Sequence, residues 1–175
     1  VMNEVSDQVE AFEELMLPIV AKADGFYGVL GTGPSHAGQD NSTEAAIYRE
    51  LGAIEFGQHL TLSVDGYIHT FFHHGRAGQR PWTSSSAGLA AEVMLDFAQA
   101  GLPLPNYIWS GHTHRSDDSG SKFRDTRAIS LPSWQLKTSF AHRVSAATVR
   151  SDIGGYIVVD GVLDDSRSRY HGQPD

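Results

Sequence analysis

Three apolar runs in this chain each end in a glycine-containing turn that delivers histidine, and this repetition limits the fold more than any other feature. The clearest is Tyr107-Ile108-Trp109-Ser110-Gly111-His112-Thr113-His114. A second, Tyr67-Ile68-His69-Thr70-Phe71-Phe72, ends in His73-His74-Gly75. A third, Gly25-Phe26-Tyr27-Gly28-Val29-Leu30, ends in Gly31-Thr32-Gly33-Pro34-Ser35-His36. Short apolar runs bounded by turn residues read as strands. A glycine at a strand end lets the backbone turn sharply, so the next side chains project at the sheet's carboxyl edge, where open α/β sheets bind ligands. Histidine is the commonest side-chain metal ligand. One such run alone reads as surface histidines; three in the same structural position point to a histidine-rich metal site.

The remaining pattern alternates helix and strand. Ser6 caps a helix whose apolar positions Val9, Phe12, Met16, Ile19 and Val20 keep a helical spacing, with Pro18 expected to bend or shorten it and Gly25 beyond its end. A strand follows at about 26–30. Asn41 with Glu44 forms a capping box for a helix over about 42–51, and Gly52 stands at its C′ position. Leu60 to Val64 and Tyr67 to Phe72 flank Asp65-Gly66, a strong hairpin signal. The serines at 84–86 precede a helix carrying Leu89, Val93 and Phe97 on one face, with Ala90 and Met94 beside them, ended by Gly101 and Pro103. Strands are expected at 106–110 and near 127–131 and 155–160. The polar tail 164–175 is expected to fray. The expected class is α/β: a layered domain over 1–163 built on a mixed sheet, because the hairpin rules out a purely parallel one.

Charge and composition narrow the function classes. The chain has 175 residues, 40% hydrophobic and 19% charged, which suits one globular core. It has no cysteine, hence no disulfide framework and no thiolate metal site. No apolar run approaches the ~20 residues that span a bilayer, so no membrane partner is expected. Thirteen basic against 21 acidic residues leave a formal charge of −8, which argues against a general basic surface for nucleic acid. Gly31-Thr32-Gly33 is no dinucleotide fingerprint, since the third glycine is absent. His59 and His69 fall inside the hairpin and are expected to face solvent; Trp82, Trp109 and Trp134 are expected in or beside the core.

The ordered set of strand–Gly…His, strand–His-His-Gly and strand–Gly-His-x-His resembles the later motifs of the calcineurin-like metallophosphoesterases. It looks closest to a phage and prophage branch that has Gly-Thr-x-x-x-His, here Gly31 to His36, and a Pro-x-Trp-Gln-Leu run, here Pro132-Ser133-Trp134-Gln135-Leu136. The resemblance covers roughly residues 5 to 160. It implies a β-sandwich flanked by helices, two divalent ions drawn from Mn, Fe, Zn or Ni, and a phosphoester substrate, with nucleotides and nucleic acid among the candidates. It also implies the cytoplasm of a bacterial or phage-infected cell. Two ions ~3.5–4 Å apart suit this chemistry because they neutralise anionic phosphoryl oxygens and lower the pKa of a bridging water.

By the resemblance, His112 binds the second metal, His114 the first, and one of His73 and His74 joins the second. Strand alternation lets only one of that pair point inward, and the strand phase favours His73. Thr32 replaces the family's usual Asn, which leaves His36 as either a ligand or the general acid. Arg76 and Arg115 are candidates for holding a substrate phosphate. The family's Asp-x-His and Gly-Asp-x-x-Asp motifs occur nowhere in the chain. The chain therefore reads as the carboxyl-terminal part of a longer protein that carries the later half of a dimetal site. The competing readings are a non-catalytic metal-binding or structural module and a complete mononuclear hydrolase.

Overall fold

The computed structural model describes residues 5–31, 42–73, 86–114, 116–133, 152–166 and 168–172. They belong to two compact units, 1–60 and 61–175.

The first unit contains α1 (Val5–Val20), β1 (Tyr27–Val29), α2 (Ser42–Glu50) and β2 (Glu55–Gly57). α1 runs through Pro18 to its expected end. β1 and β2 pair in parallel, Tyr27 against Glu55 and Val29 against Gly57. Tyr48 of α2 lies across this pair. Its hydroxyl donates to the Val29 carbonyl at 2.9 Å, and its ring meets Phe26 and Phe56 at 5.9 and 5.7 Å. Gly28 is required here, because a Cβ would stand 2.7 Å from that ring. Burial, and then the nearby Glu44, pushes the Tyr48 phenol up to about 12. Glu44 also accepts the Gly31 N–H at 2.7 Å, pinning the chain where it leaves β1.

The second unit is built on a five-stranded sheet in the order β3-β4-β5-β7-β6. Its strands are β3 (His59–Val64, whose first two residues fall before the boundary), β4 (Tyr67–Phe72), β5 (Tyr107–Ser110), β6 (Asp117–Asp118) and β7 (Arg127–Ser130). The Asp65-Gly66 turn has positive φ at both residues, 49° and 85°, the geometry that matches the twist of a hairpin. β4, β5 and β7 are parallel neighbours, and β6 runs antiparallel to β7, so the sheet is mixed. The fold is α/β with a mixed central sheet, as the alternating pattern requires.

Both faces of the sheet are covered. On one, α3 (Ser86–Gln99) sets Leu89 and Ala90 against Ile108 and Ala128. On the other, Tyr107, Trp109 and Ile129 pack with Leu163, Val158 and Tyr156. Those three come from β10 (Val162–Leu163), β9 (Val158–Val159) and the segment before it; β9 and β10 pair antiparallel. α3 is capped from outside: Asp117 accepts the Ser86 N–H and hydroxyl at 2.8 and 2.9 Å.

Two expectations are corrected. The polar tail is not frayed throughout: β11 (Arg169–Gly172) pairs antiparallel with β8 (Asp152–Gly155), and Asp165 reaches Arg127 at 3.1 Å. Strand pairing depends on backbone hydrogen bonds, so a polar sequence forms it readily once an edge is available. His69 does not face solvent but is 1% exposed. Its face of β4 lies under the β9–β10 ribbon, a layer that strand alternation alone does not reveal. Among the described residues no helix is long and apolar enough to cross a membrane.

His69 is held neutral in one tautomer. Trp109 Nε1 donates to its Nδ1 at 3.1 Å, so its Nε2 carries the proton and donates to the Gly161 carbonyl at 3.1 Å. The ring stacks on Tyr107 at 4.8 Å between centroids. Burial lowers its pKa below the usual 6.5, against the opposing pull of the Gly161 carbonyl. Gly161 has φ 75°, and a Cβ there would meet the Val64 carbonyl at 2.5 Å. A depressed imidazole pKa stabilises the fold fully above the unfolded value, and that contribution is lost as pH falls from there towards the folded pKa. Between those values the loss approaches about 1.4 kcal/mol per pH unit. Denaturant titrations at pH 7.5 and 5.5 should therefore show a smaller acid loss in His69→Gln than in the native protein, because glutamine does not titrate. Equal losses in the two proteins would remove His69 as the source.

Candidate metal centre

The site is assembled by the parallel pairing of β4 and β5. Phe72 stands opposite Ser110, and the Gly111 N–H donates to the Phe72 carbonyl at 3.1 Å. The two chains therefore leave the sheet side by side, at the carboxyl edge of β4, β5 and β7. His73 and His112 follow at once. His73 Nε2 and His112 Nδ1 lie 3.1 Å apart, with the rings inclined at 74°. His73 is partly buried and His112 is exposed.

That distance suits either of two arrangements. As the pair stands, one nitrogen donates a proton to the other. Two nitrogens bound to one ion at ~2.0–2.1 Å would be about 2.9 Å apart at a right angle and about 3.3 Å apart at the tetrahedral angle. The observed separation falls inside this interval, so the pair fits as two donors to one divalent ion.

His114 is partly buried beside this pair in sequence, its carbonyl accepting the Asp152 N–H at 2.9 Å. It does not complete a three-ligand group: among the described residues no three His, Cys, Asp or Glu side chains are placed to hold a metal ion. His36, His74, Arg76 and Arg115 lie outside the described residues.

The turn itself differs from the expectation. The sequence points to Gly111 for the sharp bend, but the positive φ angles fall on His112 at 72° and His114 at 55°. The Thr113 N–H donates to the Gly111 carbonyl at 2.9 Å, closing a γ-turn around His112. This positive-φ form is rare and strained, and left-handed backbone costs a non-glycine residue roughly 1–2 kcal/mol. The surrounding bonds hold it in place. Thr113 Oγ1 and Ser130 Oγ are 2.7 Å apart, tying the loop to the end of β7. Asp152, a residue without any motif in the sequence, binds the loop from β8 through the His114 carbonyl and the Ser116 N–H.

No protein-family model matches the chain, and neither does any curated protein sequence. Several solved structures resemble it at low identity. A Thermotoga maritima protein determined by solution NMR shares 16% identity at a TM-score of 0.46, over 92% of this chain and 86% of its own. The Zn2+ complex of Vps29 from Entamoeba histolytica shares 14% at 0.48, over 94% and 88%. An archaeal phosphodiesterase shares 13% at 0.41, over 77% of this chain and 61% of its own. At such scores these likenesses assign no activity.

The strain in the loop is testable through His114. His114→Gly and His114→Val both remove the imidazole, but only valine resists a positive φ. The valine variant should be less stable than the glycine variant by about 1–3 kcal/mol in denaturant titration. Equal stabilities would show that residue 114 leaves the left-handed region in solution.

Proposed function

We propose that this protein is a divalent-metal-dependent hydrolase of phosphomonoesters or phosphodiesters, with His73 and His112 holding one ion. The observation that carries the reading is the 3.1 Å approach of two imidazole nitrogens from neighbouring parallel strands at the carboxyl edge of the sheet. The ordered motifs of the sequence support the same reading, and with it a second ion on His114. When bound, divalent ions neutralise phosphoryl oxygens and make water acidic enough to attack near neutral pH.

The chain's own residues have separable tasks in this scheme. His73 and His112 present nitrogens at fixed spacing because β4 and β5 hold their backbones in register. His36 serves as a further ligand or as the proton donor to the leaving oxygen; Arg76 and Arg115 hold phosphate oxygens through their forked donors. His74 is the alternative to His73 as ligand, and the contact with His112 favours His73.

A second reading has its own support. The chain contains no Asp-x-His triplet, and the described residues supply two convergent nitrogens rather than three ligands. A module that binds one ion without hydrolysis would need no more than this. Calorimetric titration with Zn2+ or Mn2+, with turnover of bis(p-nitrophenyl) phosphate followed in parallel, separates the readings. Because the chain lacks the Asp-x-His and Gly-Asp-x-x-Asp ligands, it should bind one ion weakly and turn the diester over at most slowly, and only when loaded. His112→Ala should weaken binding by more than the roughly 10–100-fold that loss of a supporting hydrogen bond costs. Metal-dependent turnover, however slow, would favour the hydrolase; metal binding with none would favour the binding module, and no binding at all would remove both.

A further inference from the structure

The His112–His114 turn is strained, so something outside it must hold it. β8 begins with the residue that does so. The Asp152 N–H donates to the His114 carbonyl at 2.9 Å, and Asp152 Oδ2 accepts the Ser116 N–H at 2.7 Å. Its own carbonyl accepts the Ser133 N–H at 2.9 Å, beside a parallel bridge between Ser133 and Ile153. One residue thus grips the loop on both sides of residue 115 and joins it to the segment leaving β7. Four residues on, the Tyr156 hydroxyl hydrogen-bonds Ser116 Oγ, and its ring packs 5.7 Å from Trp109. β8 is itself anchored by β11, with Gly172 opposite Asp152.

A carboxylate accepting a backbone N–H makes a charge-assisted bond, about twice as strong as a neutral one. It is the only part of this grip that a side-chain substitution removes cleanly, since the Asp152 N–H and carbonyl belong to the backbone. We propose that Asp152 is a positioning residue for the imidazole pair. Its carboxylate fixes Ser116, Ser116 fixes the exit of the loop, and the loop keeps His112 in the left-handed turn that aims Nδ1 at His73. Without it the turn relaxes towards ordinary backbone angles, and the two nitrogens lose their common aim. The inference rests on the reading of His73 and His112 as a ligand pair, but its mechanical part does not.

Two measurements separate those parts. In the metal-free protein, amide hydrogen exchange at Ser116 should accelerate about tenfold or more in Asp152→Ala, matching the loss of one charge-assisted bond. Asp152→Asn retains an oxygen acceptor and should recover most of the protection. Titration with Co2+ should then show affinity reduced by about 10–100-fold in Asp152→Ala and largely restored in Asp152→Asn. The saturated Co2+ absorption spectrum should be the same in all three proteins, because the donor atoms are unchanged. Unaltered Ser116 exchange in Asp152→Ala overturns the proposal whatever the metal does. So does native Co2+ affinity in that variant. A changed spectrum at saturation also overturns it, by making Asp152 a ligand. If the native protein binds no Co2+ while Ser116 exchange responds as expected, the metal reading fails, and with it the aiming role; the mechanical grip alone survives.

Discussion

The parallel pairing of β4 with β5 is the constraint on which the rest of the second unit depends. Parallel strands cannot be joined by a tight turn, so the chain crosses over through α3 between them, and α3 then covers one face of the sheet. The same pairing sends both strands out at one edge in register, Phe72 opposite Ser110, which is why two histidines 39 positions apart meet within hydrogen-bond distance. A shift of one residue would turn His73 to the other face and dissolve the pair. Adding β7 in parallel beside β5 brings Ser130 to the same edge, where it receives Thr113.

What protects that register is the core on each side. Ile108 and Ala128 lie wholly buried under α3, and Ile129 is wholly buried under the β9–β10 ribbon. Burying an aliphatic side chain of this size contributes roughly 1.5–3 kcal/mol, so any slip exposes apolar groups on both faces at once. The buried chain from Trp109 through His69 to Gly161 adds directionality. It ties the central strand, its neighbour and the covering ribbon by hydrogen bonds that form in only one arrangement, and it costs stability whenever one partner is lost. The loop beyond this rigid frame can then carry strain, because the frame and β8 together over-determine its position.

Much of this was legible in the residues. The Asp65-Gly66 hairpin, α2 with its expected bounds to within a residue, and β5 running into His112 all follow from local turn chemistry and periodicity. The burial of His69 is not legible, because alternation along a strand says which residues share a face but not whether that face is covered. The cover comes from residues 156–163, too short and too mixed in character to signal a packing layer. β2, β6, β10 and β11 are not legible for a related reason: two to four residues carry no measurable period. The turn falls on His112 although the sequence points to Gly111: glycine is the usual bearer of positive φ, and nothing local marks a histidine as forced into it. Asp152 could not be found at all from sequence. Its role comes from a contact with residues 36 to 38 positions earlier, and a lone aspartate before Ile153-Gly154-Gly155 has no distinguishing pattern.

The account turns on whether the imidazoles of His73 and His112 act as one donor pair. Crystals of the protein equilibrated with Zn2+ and measured at the zinc absorption edge test this directly. The expected result is an anomalous peak about 2.0–2.1 Å from both His73 Nε2 and His112 Nδ1. A peak bound by only one of them, or zinc found only elsewhere on the protein, would contradict it.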